Sequence, residues 1–186
     1  MTAQNIRVIA DNFIEEVKDN TYDMIVCPGG LPNAQILGKN KTLIEMLKKQ
    51  KSEGIWYCAI CASPFEVFES NGLLEGEKGT GYPGYGKFKD ESKLKERVVV
   101  SNKCITSQGP CSAFEFGYAL CEVLFGKDKK EELQAARRTY NSNVKTLNKT
   151  IVVFPSSFVA NKKGITKRDY FEAEEQKRQD VKMDFS

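Results

Sequence analysis

The sequence contains no histidine among its 186 residues. A Ser-His-Asp or Cys-His pair within the chain is therefore excluded, and so is any metal site that needs an imidazole ligand. A nucleophile in this chain must be activated by the backbone, by a helix dipole or by another type of side chain. We expect neither a metal nor an organic cofactor.

Long apolar runs are also missing, and none could span a bilayer. The amino-terminal stretch MTAQNIRVIADNF lacks the charged start and apolar core of a signal peptide. With six irregularly spaced cysteines and no export signal, we expect reduced thiols in the cytoplasm. The net charge of +3 is too small to indicate a nucleic-acid interface, and the lysine-rich carboxyl-terminal part is interpreted as a solvated surface. We therefore expect neither a nucleic-acid partner nor a membrane.

Strand-like and helix-like patterns alternate over the first two thirds of the chain. The predicted strands are IRVIA (6–10), MIVC (24–27), IWYCAI (55–60) and two short strands around Ser101-Asn102. The predicted helices cover 13–23, 42–54, 63–70 with Ser63 as cap and Pro64 at its first position, 110–126, and a polar continuation to 140. This alternation is typical of an α/β protein with a mostly parallel sheet.

The composition changes near residue 140, where we place a domain boundary. Residues 1–140 form the predicted α/β domain, and residues 141–186 form an appendage that is partly helical or disordered. Within the appendage, KTIVVFP (149–155) predicts a strand and KRDYFEAEEQKRQDVK (167–182) predicts a charged helix.

Cys61 is the main candidate for chemistry, because it directly follows a predicted strand and precedes a predicted helix. Small neighbours such as Ala62 are what a sharp strand-to-helix turn requires, and a thiol at a helix start lies at the positive end of the dipole. Gly29 and Gly30 follow the preceding strand, where they would let a backbone N–H approach an oxyanion. The alternatives are a buried thiol at Cys61 and a plain tight turn at the two glycines.

Cys58 and Cys61 also spell C-x-x-C. We reject a thioredoxin-like pair, because Cys58 lies inside the predicted strand, where residues three apart face opposite sides. Three further cysteines, at 27, 104 and 121, fall on apolar faces and are predicted to be core residues.

Three blocks of the sequence resemble the ThiJ/PfpI (DJ-one) family in their order and spacing. They are YDMIVCPGGLPNAQIL, GIWYCAICASPFEVFESNGLLEGEKGTGYP and CITSQGPCSAFEFGYALCEVLFGK. The resemblance implies a flavodoxin-like, class I glutamine amidotransferase-like three-layer sandwich, usually a homodimer. It implies that Cys61 is a nucleophile-elbow cysteine, with the backbone N–H groups of Gly30 and Ala62 holding an oxyanion. It also places Tyr82 where some relatives have a histidine, and Cys111 beside the active site.

The chain departs from the family at its amino terminus. The family's first strand, its first helix and the glutamate that hydrogen-bonds the cysteine have no counterpart, so we expect an amino-terminally truncated form of the fold. Either Met1 is an internal methionine of an incomplete gene product, or a strand from KTIVVF fills part of the vacant place. Arg97 and Glu115 match a family pair that resembles a structural salt bridge. Cys111 is either a resolving thiol for oxidised Cys61 or, as we expect, a helix-capping core cysteine.

These residues leave three functions open. The family implies cofactor-free glyoxalase or deglycase chemistry at Cys61, acting on methylglyoxal-like carbonyls or glycated adducts. The alternatives are a non-catalytic sensor or chaperone that responds to oxidation of Cys61, and an inactive truncated paralogue. The residue that would move a proton for the enzyme is not identified in the sequence.

Overall fold

A mixed four-stranded sheet lies at the centre of the first part of the chain, in the computed structural model, which describes residues 8–171. The strand order is β1-β2-β4-β3; β1, β2 and β4 are parallel, and β3 is antiparallel to β4. The strands are β1 (Met24–Cys27), β2 (Trp56–Ile60), β3 (Val98–Ser101) and β4 (Cys104–Ser107). The predicted hairpin around Ser101-Asn102 is confirmed, and so is the α/β class.

Helices connect these strands and extend beyond them. They are α1 (Ile14–Val17), α2 (Asn33–Lys39), α3 (Lys41–Ser52), α4 (Ala113–Phe125), α5 (Lys127–Thr150) and α6 (Ser156–Lys162). A π-helical turn at Pro64–Phe68 continues into a 3₁₀ turn at Glu69–Asn71, and another 3₁₀ turn precedes α4. The side chain of Asn40 caps α3 by accepting the N–H of Leu43 at 2.9 Å.

The sheet is covered on both faces. Successive residues of β2 point to opposite sides, so each face contributes side chains to a different core cluster. Tyr57 and Ala59 pack with α3 and the π-helical turn in the larger core cluster. Cys58 packs on the other face with Ile105 and Phe116, the latter from α4. The result is a three-layer, flavodoxin-like arrangement in which the end of β2 lies between two packed layers.

Three local predictions are corrected by the structure. Residues 8–10 of the predicted first strand are irregular and exposed, with no neighbouring strand to pair with, while residues 6 and 7 lie outside the described chain. Ser63 has helical backbone angles and no capping bond; its hydroxyl donates instead to the carbonyl of Pro28. The KTIVVFP segment forms the end of α5 and a turn, because Ile151 N–H continues the helix by bonding to the Leu147 carbonyl at 3.0 Å.

The chain divides into two compact units between Leu124 and Phe125. The boundary that we expected near residue 140 falls inside α5, which is one uninterrupted helix. In the second unit, the Asn148 side chain exchanges two hydrogen bonds of 2.8 Å with the backbone of Arg168. Most of the predicted 167–182 helix lies outside the described residues; positions 167–171 are not helical. Across residues 8–171, every helix is too short or too polar to cross a membrane.

Candidate functional site

Cys61 adopts a left-handed backbone conformation at the end of β2. Its φ is +67°, a value that costs a residue with a side chain about 1–3 kcal/mol and persists only where the surroundings enforce it. Two backbone hydrogen bonds hold it: Cys61 N–H donates to the Ser107 carbonyl at 2.9 Å, and Tyr82 N–H donates to the Cys61 carbonyl at 2.8 Å. The side chain is 7% exposed. This is the sharp strand-to-helix turn that presents a nucleophile at the carboxyl end of a sheet.

The glycine turn after β1 lies directly against this elbow. A Cβ on Gly29 would fall 2.4 Å from the Cys61 Cβ and 3.2 Å from its Sγ, so only glycine permits the approach. Gly30 has open space around it but a φ of +85°, so it is the conformation that requires glycine there. The bond from Ser63 Oγ to the Pro28 carbonyl ties the two turns together.

Two backbone N–H groups beside Cys61 are left without a partner. Those of Gly30 and Ala62 donate to no group within residues 8–171. By contrast, two N–H groups further along the turn, on Phe65 and Glu66, both bond to the Ala62 carbonyl, at 3.2 and 3.0 Å. The helical turn that follows has only five residues, so the long helix dipole expected at Cys61 is replaced by local N–H groups.

Tyr82 lies beside the same thiol, with Gly109 between the two side chains. A Cβ on Gly109 would fall 3.3 Å from Tyr82 Cδ2 and 3.7 Å from Cys61 Sγ. The structure therefore brings together four of the residues selected from the sequence, Cys61, Gly29, Gly30 and Ala62, with Tyr82 at their edge.

Tyr85 and Glu66 form a second polar pair that the sequence did not single out. The Tyr85 hydroxyl donates to Glu66 Oε1. Burial and this carboxylate raise the pKa of Tyr85. The Cys61 thiol adds a smaller electrostatic contribution to the same increase. The only signal in the sequence was a second tyrosine in the GYPGYG loop.

The Cys61 sulfur forms no hydrogen bond with any residue between 8 and 171. No carboxylate among the described residues bonds to this thiol. The family resemblance implies such a glutamate in relatives, and it has no counterpart in this sequence. The same part of the chain contains no cluster of three or more histidine, cysteine, aspartate or glutamate residues that could hold a metal ion.

The other cysteines occupy different environments. Cys27, Cys58 and Cys104 are buried in the sheet, and burial raises the pKa of the first two thiols to about 12 and that of the third further still. Cys121 is also buried, as predicted. Cys111 is exposed in the 3₁₀ turn before α4, so the expectation of a core cysteine there is wrong. Ser112 of the same turn is buried, so the turn packs inward through Ser112 while Cys111 faces outward.

Arg97 holds this 3₁₀ turn in place. Its guanidinium donates to the Cys111 carbonyl and forms a 3.0 Å ion pair with Glu115. Both side chains are nearly half exposed, so the pair contributes little stability by itself and serves to position the turn.

A concavity of about 460 Å³ opens elsewhere on the first unit. Its lining includes Glu69, Leu74 and Lys89, and Cys61 is not part of it. The volume of a concavity therefore does not identify the candidate site in this chain. We select the site from the left-handed backbone at Cys61 and the unpartnered N–H groups beside it.

The chain is similar to several known proteins. The chain is 40% identical over 137 residues to protein DJ-1 homolog B of Arabidopsis thaliana, which covers 73% of this chain and 31% of that relative. It is 34% identical over 133 residues to a Caenorhabditis elegans protein named glutathione-independent glyoxalase DJR-1.2, covering 70% of each. The chain spans about a third of the length of the two Arabidopsis relatives that it matches.

Solved structures show the same relationship. An oxidised Toxoplasma gondii DJ-1 superposes with a TM-score of 0.64 at 39% identity, over 72% of this chain and 73% of that one. Drosophila melanogaster DJ-1beta superposes with a TM-score of 0.61 at 28% identity and the same coverage.

Two family models divide the sequence where the structure does. Residues 126–185 match the LemA family model. Residues 1–123, which include the elbow cysteine and the glycine turn, match that of the DJ-1/PfpI family. The chain therefore belongs to the DJ-1/PfpI family.

Proposed function

We propose that this protein carries out cofactor-free glyoxalase or deglycase-type chemistry at Cys61, on small dicarbonyls such as methylglyoxal or on their adducts. The observation that carries the proposal is the strained Cys61 elbow, with the unpartnered N–H groups of Gly30 and Ala62 beside it. The name of the Caenorhabditis elegans relative supports this class of reaction.

The reaction begins with attack of the Cys61 thiolate on the aldehyde carbon. The carbonyl electron pair moves onto oxygen, and the N–H groups of Gly30 and Ala62 stabilise the oxyanion. A proton then leaves the former aldehyde carbon, and the electron pair of that C–H bond forms an enediolate with the neighbouring carbon. Protons are delivered to the neighbouring carbon and to the former ketone oxygen, so the first carbon is oxidised to a thioester while the ketone is reduced to an alcohol. Water hydrolyses the thioester, which releases a 2-hydroxy acid and restores the thiol.

Tyr85, paired with Glu66, is our candidate for the group that moves the proton. The Tyr85 hydroxyl donates to Glu66, so the pair offers a proton donor and a carboxylate acceptor on neighbouring side chains, although the raised pKa of Tyr85 makes its hydroxyl a weaker acid than that of a free tyrosine. Tyr82 is an auxiliary candidate, since it shares Gly109 as a neighbour with the thiol.

The test measures methylglyoxal consumption together with lactate formation. We expect wild type and the Cys111→Ser control to be active, Cys61→Ser to be inactive and Tyr85→Phe to lose a large part of kcat. If wild type and Cys61→Ser are equally inactive, the enzyme proposal fails and the inactive-paralogue interpretation remains. If Tyr85→Phe retains full kcat, Tyr85 does not move the proton.

A redox sensor is the second candidate, because the thiols differ in their readiness to react. The raised pKa values of Cys27, Cys58 and Cys104 keep these thiols protonated, and the thiolate is the form that peroxide oxidises. We expect mild peroxide to modify Cys61 before any of the sheet cysteines, measured by peptide mass spectrometry. Uniform modification of all six would exclude a selective sensor.

We further propose a homodimer located in the cytoplasm, as the family resemblance implies. The six unpaired cysteines support the location, because they fit a reducing compartment. Light scattering on the purified chain tests the dimer: a monomeric mass at micromolar concentration would exclude it.

A further inference from the structure

A run of exposed apolar side chains occupies the turn and helix after α5. Phe154 is 83% exposed and Phe158 is 69% exposed, although both are large aromatic residues. Three exposed valines lie within the same eight positions, at 152, 153 and 159. Water-exposed apolar groups at this density are typical of a surface that binds something.

The same part of the chain carries charge of only one sign. From Leu133 to Arg168 the sequence has no aspartate or glutamate, but it has eight basic residues. They are Arg137, Arg138, Lys145, Lys149, Lys162, Lys163, Lys167 and Arg168. The net charge of +3 for the whole chain hides this local excess, which is why composition gave no sign of it.

The basic groups nearest to the apolar run are available to a partner. Lys149, Lys162, Lys163, Lys167 and Arg168 are exposed and make no salt bridge with a residue of the described chain. Two ion pairs of α5 lie in its first turns, from Lys127 to Glu131 and from Lys129 to Glu132.

Local hydrogen bonds fix the basic and apolar groups within one small structure. Ser157 N–H donates to the Val153 carbonyl at 2.9 Å, which continues the turn into α6. After α6 the chain returns along α5, where Arg168 is held by Asn148 and Phe171 N–H donates to the Asn141 side chain at 2.8 Å. We call residues 149–168 the cationic apolar surface.

We propose that the cationic apolar surface binds an anionic lipid bilayer at its interface, without crossing it. Exposed Phe and Val side chains would enter the acyl boundary while lysines contact anionic headgroups. A second copy is disfavoured as the occupant, because it would bring two strongly basic surfaces together. RNA is disfavoured because four of the six exposed apolar side chains, the three valines and Ile165, are aliphatic and cannot stack on bases. On this proposal, the basic part that we interpreted as a solvated surface also binds a partner.

The test is co-sedimentation of the full-length protein with vesicles at low salt. We expect binding to phosphatidylcholine vesicles that contain about one third phosphatidylglycerol, and about tenfold weaker binding to pure phosphatidylcholine. The double variant Phe154→Ser/Phe158→Ser should lose about tenfold in affinity, and so should Lys162→Glu/Lys163→Glu. Val100→Ser, an exposed apolar position on β3 in the other unit, is the matched control and should bind like wild type.

Several outcomes would overturn the proposal. Circular dichroism first confirms that each variant keeps its helix content, because all four substituted positions are on the surface. Absence of sedimentation with anionic vesicles would exclude the bilayer. Equal binding of vesicles by wild type and the double phenylalanine variant would show a purely electrostatic attachment. If RNA displaces the wild-type protein from the vesicles, and the double phenylalanine variant no longer binds RNA, the surface is a nucleic-acid site.

Discussion

Replacement of Gly29 by alanine tests the packing of the glycine turn against the elbow. The added methyl carbon would lie 2.4 Å from Cys61 Cβ and 2.8 Å from the Ile60 carbonyl oxygen. Carbon atoms at rest lie about 3.5–4.0 Å apart, so one turn must move by more than 1 Å. Neither contact is the end of a flexible side chain. Overpacking of this type costs about 1–3 kcal/mol.

The displaced elbow should also expose its thiol. Cys61 is 7% exposed, so an alkylating reagent reaches it through local opening. If the substitution lowers the free energy of that opening by the same amount, alkylation of Cys61 becomes about fivefold to a hundredfold faster. The assay is iodoacetamide labelling in a Cys111→Ser background, followed by peptide mass spectrometry, with urea unfolding measured in parallel.

Gly54→Ala is the matched control for this experiment. Gly54 has a φ of +68° and no atom within 4 Å of an added Cβ. It therefore loses about 1–2 kcal/mol from the left-handed conformation alone, with no change in the labelling rate of Cys61. A Gly29→Ala protein that unfolds and labels like wild type would show that the two turns do not touch as described, and the reasoning about the site would be refuted.

Three further predictions concern the same structure. At Cys61, glycine should give a protein more stable than alanine by about 1 kcal/mol in urea unfolding, since φ is +67°; the reverse order would contradict a strained elbow. Gly86→Ala should destabilise by about 1–3 kcal/mol more than Gly84→Ala, because both have a left-handed φ but only the first adds a Cβ 2.2 Å from the Phe65 ring; equal losses would contradict this packing. Burial raises the pKa of the Cys58 thiol from 9.0 to about 12, so the contribution of this thiol to stability is complete below pH 9 and is lost between pH 9 and 12, by up to about 1.4 kcal/mol per pH unit. Cys58→Ala should therefore reduce the slope of the unfolding free energy against pH in that range. An unchanged slope would contradict the burial argument.

The elements that could be predicted from sequence are those that depend on short-range sequence patterns and whose neighbouring strands or helices are present in the chain. The apolar run at β2, the turn at Ser101-Asn102 and the amphipathic pattern of α3 each required only short-range chemistry. The errors came from segments whose conformation depends on a neighbour. Val8 and Ile9 are β-formers with no strand beside them among residues 8–171, and the β-branched run after Thr150 forms a turn that begins at the C-cap of α5, where Ile151 N–H bonds to the Leu147 carbonyl.

Ser63 shows why the candidate site was only partly predictable. Its position before Pro64 favours a helix cap, and the same hydroxyl can satisfy any nearby carbonyl. In the folded chain the turn after β1 comes within reach, and Pro28 provides that carbonyl. The approach of two turns that are distant in sequence cannot be read from either one alone, and neither can the pairing of Tyr85 with Glu66.

Positioning of the thiol and transfer of its proton therefore depend on different parts of the molecule. The Cys61 conformation is held by backbone bonds to Ser107 and Tyr82 and by the absence of a side chain at Gly29. All of these follow from strand ends and glycines, so a short motif was sufficient to locate the elbow. No described side chain bonds to the sulfur, and the chain has no histidine, so a proton must be moved by a tyrosine, a carboxylate or water. An intact elbow in this chain is thus evidence for a positioned nucleophile, and methylglyoxal turnover by wild type against Cys61→Ser decides whether a complete catalytic site surrounds it.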